Sequence, residues 1–150
     1  MARHLRLIRP FLLLLLLVAA GRWIQGLAGV PYEKGHFVFS TVILTIYAAV
    51  FFAMFSRRCF GYRLLDAVVL AFLIGLSTQV VIVLSTLATY ALGLQTYWNH
   101  HIALNIVEPG PVPFARAMGL RMGGLIGNPI LSGIVGALGW TIGALLPDRS

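Results

Sequence analysis

The chain carries four histidines and four carboxylates in 150 residues, so chemistry that depends on imidazole or acid has few places to sit. The densest grouping is Glu33 and His36 in one polar stretch with His100, His101 and Glu108 in another. Imidazole and carboxylate together suit zinc, iron or copper. If the two stretches converge, these five residues are the candidate metal ligands. Two observations count against a metal. Adjacent histidines lack the i, i+4 spacing that puts two ligands on one helix face, and there is no His-Glu-x-x-His pattern. With Tyr97 and Trp98 beside them, the histidines also read as interfacial anchors. A haem between helices would need histidines deep in apolar segments. None of His4, His36, His100 or His101 lies there, so only an edge-bound haem stays open.

The other chemistries are weaker. Cys59 is the only cysteine, which excludes an internal disulfide and a multi-cysteine metal centre. A Gly-x-Ser-x-Gly elbow, a phosphate-binding loop and a dinucleotide fingerprint are all absent. Asp66 follows Arg63 by three residues at the start of an apolar segment, where pairing or helix N-terminal stabilisation accounts for it. No carboxylate falls inside an apolar run, which argues against proton-coupled transport through a membrane-buried acid.

Two patterned faces remain. Gly119, Gly123 and Gly127 are spaced by four, as are Gly124, Asn128, Ser132 and Gly136, and then Gly139 and Gly143. This small-xxx-small spacing lets helix backbones approach closely. Within it, Asn128-Pro129 reads either as a tolerated kink or as a break that frees a carbonyl for an ion. The second face, Gly75, Gln79, Ile82, Thr86, Thr89 and Gly93, falls along one side of a helix. Gln79 needs an amide partner there, with Asn128 or Thr45 as candidates. Gln79, Thr86 and Thr89 either line a polar path or pack dry against a neighbouring helix.

The elements that must position these residues are membrane-spanning helices. Hydrophobic residues make up 59% of the chain and charged ones 10%, with a mean hydropathy of +0.92. Soluble domains carry about a quarter charged residues. The expected fold is an all-α integral membrane protein, a single membrane domain over 1–150 built as a bundle of four transmembrane helices. Its spans are read at 7–28, 37–55, 66–94 and 119–146, with a long proline-containing outer loop at 95–116. Continuous apolar runs favour helices over the alternating ten-residue strands of a barrel. The first span is short, and Arg9 and Arg22 are expected to snorkel toward opposite surfaces. A basic start, a leucine core and Val18-Ala19-Ala20 also permit a cleaved leader over residues 1–20.

The charge of +7 lies in clusters flanking apolar runs, without the long basic face that duplex binding needs, so nucleic acid is not an expected partner. Arg3, Arg6, Arg9, Arg57, Arg58, Arg63 and Arg149 fall on one side, against Lys34, Arg116 and Arg121, with Arg22 near the second surface. The positive-inside rule then puts both termini in the cytoplasm, in a membrane of the bacterial inner type. The expected function is that of a non-enzymatic accessory or structural subunit, acting through helix packing with itself or with other membrane subunits. A small oligomeric channel or transporter and a membrane metal or redox protein are the alternatives. No particular cofactor is implied.

Overall fold

A computed structural model describes residues 2–146; Arg149 lies outside them. Six α-helices follow in order, α1 (Ala2–Leu7), α2 (Arg9–Leu27), α3 (Tyr32–Gly35), α4 (Thr41–Phe60), α5 (Leu64–Ala91) and α6 (Phe114–Leu145), with a 3-10 turn at Ile102–Leu104. No strand occurs among the described residues. Four of the helices, α2, α4, α5 and α6, are long and apolar enough to cross a membrane. At 1.5 Å per residue α2 and α4 rise about 30 Å, and α5 and α6 more than about 40 Å. The latter pair is longer than one hydrocarbon thickness.

The helix boundaries are set by local chemistry more than by where the apolar runs end. Ser40 caps α4, its Oγ accepting from the Ile43 N–H at 3.3 Å, so α4 starts four residues after the apolar run begins at Phe37. It continues through Arg57 and Arg58 until Gly61 adopts a φ of 62°, the left-handed stop that glycine tolerates. Asp66 Oδ2 accepts the Arg63 backbone N–H at 3.2 Å and so caps α5. Gly93, with φ 64°, ends it, and the Leu94 N–H closes back on the Thr89 carbonyl at 3.0 Å. Helix α6 begins directly after Pro113, five residues earlier than the apolar run suggests. Proline pre-sets the backbone for a helix start and loses no intrahelical bond there. Pro129 is buried inside α6, which continues through it.

Helix α5 is the centre. Gly75 packs on Ser132 and on the Asn128 carbonyl, and a Cβ added at Gly136 would press on Ala71. Lower on α6, a Cβ at Gly139 would stand 2.5 Å from the Val50 carbonyl oxygen and one at Gly143 3.2 Å from that of Met54. The ridge of Gly124, Asn128, Ser132 and Gly136 therefore faces α5, and Gly139 and Gly143 face α4. By contrast, Gly119, Gly123 and Gly127 have nothing within 4 Å of an added Cβ.

Helix α2 joins through Phe11 and Leu15, which with Ile8 just before the helix share a buried cluster with Leu70, Leu73 and Ile74 of α5. Residues that also read as a leader thus contribute to the main core.

One end of the bundle carries α1, the α4–α5 turn and the end of α6. The other carries residues 28–40 and 92–113 and is called the loop face. The long loop packs Leu104, Ile106 and Val112 with Ala117 of α6 in a small core. It is pinned to α5 where the Tyr90 hydroxyl donates to the Val112 carbonyl at 2.6 Å.

Candidate functional site: a cationic cavity beneath the loop face

The two polar stretches converge, but not on a metal. Tyr97 donates its hydroxyl to the Val30 carbonyl at 2.8 Å and approaches that of Pro31 at 3.1 Å, tying the loops together. Tyr32 lies between the imidazoles, stacked on His36 at 5.1 Å and on His100 at 4.7 Å. A phenol ring therefore separates the two histidines that would have to share an ion. His36 Nδ1 is engaged with the Tyr32 carbonyl at 2.9 Å, His101 stacks on His100 at 4.5 Å, and Glu108 faces Arg116 at 3.9 Å. Among the described residues no three His, Cys, Asp or Glu side chains are grouped to hold a metal ion.

Burial, then the neighbouring His101, push the His100 pKa down, with Glu33 opposing. Burial pushes the Tyr97 phenol up, with Arg22 opposing and Glu33 and Tyr32 adding to it. Both shifts belong to a stacked aromatic cap. Tyr97 and Trp98 are buried in it.

Beneath that cap lies a cavity of about 660 Å³ lined by Arg22, Arg116, Arg121, Gln79, Asn128 and Trp98, with walls from the start of α4 and from residues 102–106. None of its lining residues is Asp or Glu. Arg22 is 8% exposed. Instead of snorkelling outward, its guanidinium turns into the bundle, 5.2 to 5.6 Å from the ring centres of Trp98, Tyr97 and Tyr32. Aromatic faces attract a cation and shelter it from water. Its terminal nitrogens donate to the Tyr32 hydroxyl at 3.3 Å and to the His36 carbonyl at a long 3.5 Å.

Arg121, half-buried, donates to the Trp98 carbonyl at 3.1 Å. The Nε atoms of Arg22 and Arg121 are both buried without a partner among the described residues, as is the Trp98 indole nitrogen.

A hydrogen-bond relay shapes the deep wall of this cavity. Asn128 Nδ2 donates to Gln79 Oε1 at 2.5 Å, and Gln79 Nε2 donates to the Arg121 carbonyl at 2.7 Å. Asn128, one of two partners the sequence suggests for Gln79, is thus the one found beside it. Gly124 makes this approach possible, because a Cβ there would fall on the Gln79 amide.

Thr86 and Thr89 do not join Gln79 along a path. Both are fully buried, bonded to the Ile82 and Ser85 carbonyls at 2.8 and 2.9 Å, and Thr89 also meets Thr96 at 3.1 Å. Neither lines the cavity.

No family model, curated protein or solved structure matches this chain.

Arg22 and Arg121 escape a sequence reading that treats arginines near helix ends as topology signals. Arg121 carries a usable signal: a helix beginning right after Pro113 puts it seven residues in, about 10 Å along the axis. That depth is unusual for a loop charge.

Proposed function

We propose that this chain is a four-span membrane protein that binds an anionic group in the cavity beneath its loop face. The carrying observation is Arg22, nine-tenths buried, facing a cavity without a lining acid. A guanidinium keeps its charge under all working conditions. Burying one without a counter-ion is costly, and an ionisable residue inside a span marks a functional site by default. Arg121, half-buried on the same cavity, raises that cost, which an oxyanion offsets. Phosphate, sulfate and carboxylate all match the planar donor fork of arginine.

The charge pattern supports an orientation with the termini in the cytoplasm of a bacterial-type cell. With Arg22 and Arg121 assigned to the cavity, Lys34 and Arg116 are the basic residues left on the loop face, against Arg3, Arg6, Arg9, Arg57, Arg58 and Arg63 on the other. The cavity then faces the outer side, and binding rather than catalysis is its role. Thermal unfolding in mild detergent tests the reading. Added inorganic phosphate should raise the melting temperature of the wild-type protein at matched ionic strength, since a ligand that binds only the native state stabilises it. Arg22→Gln/Arg121→Gln should show no such rise; an equal response in both proteins would remove the site.

The accessory-subunit reading keeps one specific observation. Gly119, Gly123 and Gly127 form a ridge that the chain does not use internally, flanked by exposed Leu120, Met122 and Ile126. A second copy of the chain is the occupant we assign to it, through close backbone contact. Analytical ultracentrifugation of wild type and Gly123→Leu distinguishes a glycine-dependent dimer from a monomer.

A further inference from the structure

Below the cationic cavity, a smaller hollow of about 60 Å³ opens between α4 and α6, lined by Thr45, Ile46, Gly75, Thr78, Leu131 and Val135 among others. Val42, Ile82 and Asn128 line both spaces, so the two adjoin. Thr45 and Thr78 are 2.7 Å apart and satisfy each other, which leaves the hollow effectively apolar. Its rim is open to the outside of the bundle: Val42 is 57% exposed, Ile46 45% and Leu131 56%.

The same order of chemistry runs down both helices. On α6, Arg116, Arg121 and Gly124 line the cationic cavity, Asn128 lies at the junction, and Leu131 and Val135 line the apolar hollow. On the α4 side, Ser40 and Thr41 line the cavity, Val42 the junction, and Ile46 the hollow. From Arg121 to Leu131 the helix rises about 15 Å, so charge gives way to hydrocarbon-compatible surface over that distance along the helix. An anionic lipid has that profile.

We infer that the anion is the headgroup of a membrane phospholipid, held by Arg22 and Arg121, with the start of one acyl chain in the α4–α6 hollow. This rests on the anion-binding reading above and goes beyond it by assigning the ligand's class and its route of entry, laterally between α4 and α6. The hollow takes only the first carbons of the chain. The remainder lies along the exposed faces of both helices with the surrounding lipid. Apolar burial adds affinity for the whole lipid that its water-soluble headgroup lacks.

Native mass spectrometry from detergent tests this, with phosphatidylglycerol, phosphatidylcholine and sn-glycerol 3-phosphate as probes. Wild type should retain one phosphatidylglycerol at least tenfold better than either of the others, and a hexanoyl form should bind more weakly than a palmitoyl form. Ile46→Trp and Leu131→Trp fill the hollow from exposed positions. Each should lower lipid retention at least fivefold while leaving glycerol phosphate binding as in wild type. Arg22→Gln/Arg121→Gln should lose both ligands.

Glycerol phosphate binding as tight as the lipid, with no chain-length dependence in wild type, overturns the lipid assignment and leaves the anion site standing. Binding of neither phosphate by folded wild type overturns both. The chain-length comparison uses wild type alone, so it decides the matter even if a tryptophan variant fails to fold.

Discussion

Arg22 and Arg121 come from opposite ends of the sequence and meet at Trp98: the Arg22 guanidinium lies 5.2 Å from the indole centre, and Arg121 donates to the Trp98 carbonyl at 3.1 Å. One residue of the loop thus positions both cations, the first through its ring and the second through its backbone. Trp98→Leu should therefore keep the Arg121 contact, remove the Arg22 one, and weaken phosphate binding several-fold. Binding measured beside the helical circular dichroism signal separates this from unfolding.

The Gln79–Asn128 pair should stabilise the α5–α6 interface. Gln79→Leu strands the Asn128 amide and removes the second bond to the Arg121 carbonyl, and should lower unfolding stability by about 1 kcal/mol, in the range typical of hydrogen bonds between membrane helices. Gln79→Leu/Asn128→Leu should cost less than the sum of the two single changes, since neither partner is left alone. A double-mutant cycle in detergent measures this, and strict additivity would mean that the pair is uncoupled.

Glycines on different ridges of α6 should respond with opposite sign. Gly139→Ala puts a methyl group 2.5 Å from the Val50 carbonyl oxygen and should destabilise the chain by more than about 1 kcal/mol. Gly127→Ala meets nothing within its own chain and, in the monomer, should be neutral or stabilising by up to about 1 kcal/mol, the gain in helix propensity. Melting temperatures of the two variants check the contrast.

The loop-face cap should weaken in acid. His100 is held below its usual pKa by burial and by His101, so the folded state binds fewer protons than the unfolded one between the lowered value and about 6.5. Its contribution is complete above about 6.5, falls as pH drops through that value, and levels off below the folded pKa. His100→Asn should flatten this part of the melting-temperature profile between pH 7.5 and 5.

How much of this was legible in the sequence differs from residue to residue. Long apolar runs give four helices, and small-residue spacing marks rows along α6, because both signals are periodic along one axis. Rotation about the axis is harder: nothing in the spacing says that Gly124 faces Gln79 while Gly123 faces outward. Arg22 was hardest. Its distance from the end of α2 suits snorkelling, and only the aromatic rings of Tyr32, Tyr97 and Trp98, brought in from two loops, give the guanidinium an inward alternative. The histidines fail as ligands for a similar reason, since Tyr32 occupies the space between His36 and His100. No pairwise spacing announces an intervening ring.

Whether Arg22 and Arg121 together hold an anion is decided by a phosphorus-31 NMR titration of inorganic phosphate against the purified protein. Saturable line broadening with one site per chain is expected in the wild type, reduced at least tenfold in affinity in Arg22→Gln/Arg121→Gln, as loss of charge-assisted hydrogen bonds worth about 1.5–3 kcal/mol each implies. Broadening that fails to saturate, or that is the same in wild type and the double variant while both remain folded, would contradict it.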